Sequence, residues 1–144
     1  MKLICKTVRT PILFRGQEFS TRKWAYGNYY FDSSNLTHPY SITWNGKDSL
    51  GDFDFDNEFN AVKVIESTIG QYTGLEDKNG TKIFEGDIVR VSLAYRDIIC
   101  CVKWDDCGFI LEIIDNSDYR YYLGKCFELE VIGNEFDNPD LEEQ

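Results

Sequence analysis

The chain has 144 residues, of which 42% are hydrophobic and 15% aromatic, and its formal net charge at pH 7 is −10. This apolar content excludes a wholly disordered chain, and the length fits one domain or two very small ones. No run approaches the roughly 18 consecutive apolar residues of a membrane span, and no charged-then-apolar leader opens the chain, so we expect neither a membrane partner nor a secretion signal.

Nearly every segment of the first half has the composition of a β-strand. Aromatic and β-branched residues predict short strands, which we place at residues 11–19, 24–31 and 40–44. Asn45-Gly46 is a hairpin signal after the third of them. Strict polar–apolar alternation predicts a further strand over Asp52–Asp56, whereas residues 59–65 fit either a helix or a strand.

Short strands and tight turns alternate in the second half. A turn is expected at Asp77–Gly80, and strands are predicted at residues 88–93, 98–104, 109–114, 119–123 and 127–131, with a turn at 116–118. Strands this short, without intervening amphipathic helices, predict an antiparallel fold that closes or half-closes into a small barrel. Glu135–Gln144 is acidic and is expected to form a surface tail with room for one helical turn.

The five cysteines are an odd number, and none forms a Cys-x-x-C pair. Together with the expected absence of a leader, this predicts a reduced protein of the cytoplasm. Cys100 and Cys101 are adjacent, so we expect them to point to opposite faces of a strand as small apolar fillers. With His38 as the only histidine, no zinc site and no cofactor are expected.

No sequence motif of a hydrolase, a metalloprotease or a P-loop is present, so we expect no enzyme. Asp52, Asp54 and Asp56 are spaced like the first half of a calcium loop. However, Asn57 and Lys63 stand where that loop needs glycine and a bidentate glutamate. The interleaved phenylalanines indicate a half-buried strand instead.

Charge is divided unevenly along the chain. Residues 1–47 hold seven cations and two acids, a net charge of +5, and the remainder carries −15. The basic third is also rich in aromatic residues, and cations beside aromatic rings can bind nucleotides or single strands. The candidate binding residues are Arg15, Arg22, Lys23, Trp24, Tyr26, Tyr29 and Tyr30. Two other interpretations fit this pattern. One is an aromatic core face opposite a solvent-exposed basic face, and the other is docking between oppositely charged parts of two copies.

The most specific stretch is residues 70–89, which read G-Q-Y-T-G-L-E-D-K-N-G-T-K-I-F-E-G-D-I-V. Two shorter stretches lie near the ends of the chain, at residues 14–16 with 24–27 and at 130–134 with 138–139. In all of these the chain resembles the YopX family of small bacteriophage and prophage proteins. The resemblance covers nearly the whole length.

This resemblance implies an all-β protein in which an N-terminal antiparallel β region, residues 1–69, precedes an SH3-like barrel, 70–134, and the acidic tail, 135–144. It also implies a phage or prophage origin and a place in the cytoplasm of a bacterial host, and it supplies no catalytic residue. In physical terms, Gly74, Gly80 and Gly86 lie where turns need positive φ, and Asp87 can brace the turn before its strand. We therefore expect the motif to shape and stabilise the fold rather than to form an active site.

We accordingly expect a non-enzymatic binding protein that associates with copies of itself and with an unknown host or phage macromolecule, for example to counteract a bacterial defence. One alternative is a module that sequesters a nucleotide or signalling molecule at the seven candidate residues. Another is that the acidic remainder imitates nucleic acid and occupies the groove of a DNA-binding enzyme.

Overall fold

The structure is a computed structural model that describes residues 12–45, 59–115, 119–124 and 128–142. Within these ranges two 3₁₀ turns, Glu66–Thr68 and Pro139–Leu141, accompany eleven strands. The strands are β1 (Phe14–Gln17), β2 (Trp24–Phe31), β3 (Tyr40–Asn45), β4 (Phe59–Lys63), β5 (Gly70–Glu76), β6 (Lys82–Phe84), β7 (Asp87–Ser92), β8 (Asp97–Asp105), β9 (Gly108–Ile113), β10 (Arg120–Tyr122) and β11 (Glu128–Asn134). No helix among the described residues has the length and apolarity needed to cross a bilayer.

The strands form two antiparallel sheets. The first has the order β4-β3-β2-β1-β5-β6, and the second has the order β10-β9-β8-β7-β11. The all-β prediction is therefore confirmed. The predicted SH3-like barrel is not confirmed, because neither sheet is closed: within the described residues β10 and β11 remain the two edges of the second sheet.

Most predicted strands lie where the local pattern placed them, and β2 spans its predicted range in full. Residues 59–63 are a strand, because Val62 pairs with Ile42 of β3 and joins its core. The predicted strand Asp52–Asp56 and the predicted turn at 116–118 lie outside the described residues. The first sheet continues through β5 to β6 and so reaches Phe84, because β1 pairs with β5 and β5 pairs with β6.

Each sheet buries one apolar cluster. The larger cluster belongs mainly to the second sheet and includes Val89, Cys100 and Leu111, each fully buried, together with Ile83 from β6 of the first sheet. The smaller cluster surrounds Ile42 of the first sheet. Cys100 and Cys101 are both buried, as predicted. Because Ile83 enters the larger cluster, β6 of the first sheet packs against the second sheet.

The turn between β5 and β6 is built around the buried carboxylate of Asp77. Its Oδ1 accepts hydrogen bonds from the backbone N–H groups of Asn79 and Thr81, at 2.8 and 2.9 Å, and its Oδ2 accepts one from Val131 at 2.9 Å. Burial by itself raises the pKa of Asp77, but the three backbone donors outweigh that effect and hold the pKa below its ordinary value. Because Val131 belongs to β11, this side chain ties a turn of the first sheet to the second sheet.

We expect Asp77→Asn to lower the free energy of unfolding at pH 7 by about 1–3 kcal/mol, because the amide nitrogen cannot accept the Val131 N–H. The folded-state pKa of Asp77 is lowered, so the carboxylate stabilises the fold fully above its ordinary pKa and loses that effect as pH falls through the folded-state value. Urea unfolding at several pH values should show the gap between wild type and variant shrinking below about pH 4. Asp97→Asn, at an exposed position of β8, is the control. A gap that stays constant in acid would contradict this account.

Candidate functional site

An ion pair between Arg15 of β1 and Asp87 of β7 joins the two sheets. Nη2 of Arg15 lies 2.7 Å from Oδ1 of Asp87, and the two side chains are only 6% and 3% exposed. Oδ2 of Asp87 accepts the N–H of Phe84 at 2.7 Å, and Arg15 also donates to the carbonyl oxygen of Glu85 at 3.3 Å. Burial raises the pKa of Asp87, and the guanidinium group opposes that rise. The two charges therefore tolerate burial only as a pair.

Two aromatic rings cover the guanidinium group of Arg15. Its Cζ lies 4.5 Å from the ring centroid of Trp24 and 4.9 Å from that of Phe84. The register of β1 and β2 causes this arrangement, because Arg15 is paired with Tyr26 and Gln17 with Trp24, so all four share one face. A planar guanidinium can stack on both rings, which a lysine ammonium cannot do.

The acidic segment after β11 completes the cluster. Asp137 accepts hydrogen bonds from Nε1 of Trp24 at 2.8 Å, Nε2 of Gln17 at 2.8 Å and Nδ2 of Asn134 at 3.0 Å. These donors, with Trp24 the strongest, hold the pKa of Asp137 below its ordinary value. The ring of Phe136 also packs against Trp24, with centroids 5.8 Å apart. The segment predicted to be a surface tail thus binds the first sheet.

A cleft of about 510 Å³ opens between the sheets beside this cluster. We call it the inter-sheet cleft; its lining includes Arg15, Trp24, Tyr26, Lys82, Asn134 and Asp137. The ring of Tyr26 meets Phe84 edge-on, with centroids 5.5 Å apart. Burial raises the pKa of Tyr26, so its hydroxyl group is protonated at neutral pH. The cleft therefore combines aromatic walls with polar groups, and one of these, the buried Nε of Arg15, has no hydrogen-bond partner among the described residues.

Three of the seven predicted binding residues, Arg15, Trp24 and Tyr26, line the inter-sheet cleft. Residues from the second half of the chain, Lys82 and Asp137, were not predicted to bind anything. The motif marked Asp87 as a brace for its turn, but local sequence patterns contain no signal that pairs it with Arg15.

The other four predicted residues are not part of the cleft. Tyr29 faces the opposite side of β2, because side chains alternate along a strand. Tyr30 shares the side of Tyr26 but is 55% exposed and lies outside the lining. Arg22, with φ of 63°, and Lys23 lie exposed between β1 and β2.

A row of aromatic rings lies on the opposite face of the first sheet. We call it the aromatic row; it consists of Phe14, Tyr29, Tyr40 and Phe31. Ring centroids are 5.9 Å apart for Phe14 and Tyr29, 6.0 Å for Tyr29 and Tyr40, and 5.3 Å for Tyr40 and Phe31. Tyr29 is 41% exposed and Phe31 is 50% exposed. The row is therefore a continuous aromatic surface that solvent reaches.

One group among the described residues has the spacing of metal ligands. Sγ of Cys101 and carboxylate oxygens of Glu135 and Glu142 lie within 4.8 Å of one another. Burial, the largest cause, raises the pKa of Cys101 to about 12, so the thiol is protonated at neutral pH. Lys103 is also hydrogen-bonded to Glu135. The thiol of Cys101 donates a hydrogen bond to Glu135 at 3.5 Å, so the thiol and this carboxylate already have partners within the protein.

The comparisons with known proteins identify the family to which this protein of two antiparallel sheets belongs. The family model described as YopX protein matches residues 13–143, so the chain belongs to the YopX family. The crystal structure of protein EF1440 from Enterococcus faecalis is similar, with 26% sequence identity and a TM-score of 0.51. The match covers 93% of this chain and 99% of that chain. No curated protein matches.

We expect Asp87→Ala to lower the free energy of unfolding by about 3–5 kcal/mol, because it leaves the charge of Arg15 buried and unpaired. Replacing both partners with apolar residues, Arg15→Met with Asp87→Leu, should recover part of that loss. Urea unfolding measures both effects.

The control for this experiment is Glu130→Ala, which removes two solvent-accessible ion pairs, one with Arg90 at 3.2 Å and one with Lys78 at 3.5 Å. An exposed pair contributes less than about 1 kcal/mol. Equal losses for Asp87→Ala and Glu130→Ala would show that the buried pair has no special role.

Proposed function

We propose that this YopX protein is a non-catalytic binding protein of a phage or prophage, and that it acts in the cytoplasm of a bacterial host. Its partners are a second copy of itself and a host or phage macromolecule, through which it could counteract a defence. The aromatic row carries this proposal. Four rings in mutual contact, with Tyr29 and Phe31 half exposed, are typical of a surface that another protein covers.

The state of the ionisable groups in the inter-sheet cleft supports binding over reaction. The charge of Arg15 is paired with Asp87, and Asp137 already accepts three hydrogen bonds. The pKa of Tyr26 is raised by burial, and that of Asp137 is lowered by its donors. General acid–base catalysis favours groups whose pKa lies near the working pH, and these shifts move Tyr26 and Asp137 away from neutrality. The pKa of Asp87 is raised toward neutrality, but its carboxylate is buried against Arg15.

The unequal charge along the chain supports a second copy as one partner. The first 47 residues carry a net charge of +5 and the remainder carries −15. Two copies can therefore bring oppositely charged parts together around the apolar contact that the aromatic row supplies.

Replacing Tyr29 and Phe31 together by serine should convert an oligomer into a monomer. Both side chains are about half exposed, so the fold should tolerate the change while the docking surface loses its rings. Sedimentation velocity over a range of concentrations measures the result. The control replaces Tyr95 and Tyr122, which are 100% and 68% exposed and lie outside the row. A wild-type protein that stays monomeric at its highest soluble concentration would refute self-association.

A nucleotide is a second candidate ligand, and the lining of the inter-sheet cleft favours it. Trp24 and Tyr26 offer aromatic surfaces for a base, and the side chain of Lys82, which is 45% exposed, offers a charge for a phosphate in exchange for its exposed ion pair with Glu76 at 4.0 Å. The cleft volume of about 510 Å³ falls in the usual range for small-molecule sites.

Calorimetric titration with a panel of mononucleotides and cyclic dinucleotides tests this second candidate. Lys82→Gln should weaken any binding about tenfold, equivalent to about 1.4 kcal/mol, because it removes the exposed cation of the cleft. Lys78→Gln is the matched control, since Lys78 lies at the adjacent turn but not in the lining. If no nucleotide releases or absorbs heat, the nucleotide proposal fails and the docking proposal stands unaffected.

We also infer that strands β7–β11 are an opened SH3-like barrel. In the order β10-β9-β8-β7-β11, four consecutive strands form a meander and the fifth returns to pair with the first. This is the strand order of SH3-like barrels. The bulge in β11 between Val131 and Gly133 supports the inference, because bulges bend strands at the rims of barrels.

A further inference from the structure

A groove of about 420 Å³ lies at one end of the aromatic row. We call it the cation groove. Its lining includes Phe14, Tyr29, Tyr40, Glu66, Glu85 and Trp104. No lysine or arginine is among the described residues that line it. The groove therefore combines four aromatic side chains with two carboxylates.

The aromatic side chains of the groove are held in place by their neighbours. Tyr29 and Tyr40 are stacked at 26°, and the hydroxyl group of Tyr40 donates to Oε1 of Glu66 at 2.8 Å. Trp104 packs edge-on against Phe109, with centroids 4.9 Å apart, yet remains 56% exposed. Aromatic rings that are fixed and reach solvent present negatively polarised faces to a ligand.

Neither carboxylate forms an ion pair with a cation in the part of the chain that the structure describes. Among the ion pairs between described residues, none involves Glu66 or Glu85. Lys103 is close enough to act on Glu85, but its ammonium group is bonded to Glu135. Burial is the largest cause that raises the pKa of Glu85, and Glu135 raises it further, whereas a hydrogen bond from the backbone of Gln71 and the charge of Lys103 oppose the rise.

A glycine brings Glu85 this close to the first sheet. A Cβ atom at Gly70 would lie 2.6 Å from the carbonyl oxygen of Glu85, a distance that real Cβ atoms do not tolerate. Any other residue at position 70 would push Glu85 away from β5. The close approach therefore places a half-buried carboxylate among the rings.

We propose that the cation groove binds the ammonium or guanidinium group of a lysine or arginine side chain presented by a partner polypeptide. Ring faces attract such cations, and carboxylates strengthen the attraction through charge-assisted hydrogen bonds. An apolar side chain would instead desolvate the carboxylates without compensating them. The inference rests on the proposed function, because it names the partner chemistry at one end of the docking surface.

Two short peptides test the cation groove in the full chain by NMR titration. One is an acetylated and amidated Ala-Ala-Lys-Ala-Ala, and the other carries norleucine, which lacks the charge, in place of lysine. We expect the lysine peptide to shift the indole N–H signal of Trp104 in a saturable way, and the norleucine peptide to bind at least tenfold more weakly. Equal binding of the two peptides, or no saturable shift with lysine, would overturn the inference.

Variants of the protein test whether the carboxylate and the rings are responsible for binding the lysine peptide. Glu85→Gln should weaken the lysine peptide at least fivefold, whereas Glu112→Gln, at an exposed position of β9, should not change its binding. If Glu85→Gln does not fold, Tyr29→Leu, at a 41% exposed position, provides the same test. Unchanged binding in the folded variant would overturn the inference.

Sedimentation of the same samples separates this inference from the docking proposal. If the protein forms an oligomer but does not bind the lysine peptide, only the proposal for the cation groove fails. If the protein stays monomeric but binds the lysine peptide, only the proposal of self-association fails, and the proposal for the cation groove is supported.

Discussion

The buried pair of Arg15 and Asp87 is the interaction on which the arrangement of the two sheets depends. Removing two charges from water is costly, and the cost is offset here by several partners at once. The guanidinium group has a carboxylate, a carbonyl oxygen and two ring faces, while the carboxylate also has a backbone donor. Because one partner lies on β1 and the other begins β7, the pair sets the relative position of the sheets and one wall of the inter-sheet cleft.

Two further acidic residues connect parts of the fold that are distant in the sequence. Asp77 holds its own turn and β11, and Asp137 holds β1 and β2. In both cases hydrogen-bond donors hold the pKa below its ordinary value. Part of the chain's excess negative charge is therefore structural. This weakens a view of the acidic remainder as a surface shaped only to imitate nucleic acid.

Strand alternation in β2 gives the first sheet two different aromatic surfaces. Trp24 and Tyr26 face the inter-sheet cleft, whereas Tyr29 and Phe31 belong to the aromatic row. The pocket predicted from the basic third of the chain is in this way divided between two faces. The cleft proposed for a nucleotide and the surface proposed for a protein partner therefore lie on opposite faces of the first sheet.

Local chemistry in the sequence was sufficient to predict most of the strands, though not β5 or β6, and the turn at Asp77–Gly80. The family followed from the resemblance of residues 70–89 to a known motif. Alternation of polar and apolar residues, and glycines suited to positive φ, involve only a few neighbouring residues, so a short stretch of sequence is enough to recognise them. The tertiary structure decided that β5 pairs with β1, that Asp87 neutralises Arg15 and that Asp137 binds Trp24. Each of these contacts joins residues far apart in the chain. Their partners follow from register and packing between sheets, which no local pattern specifies.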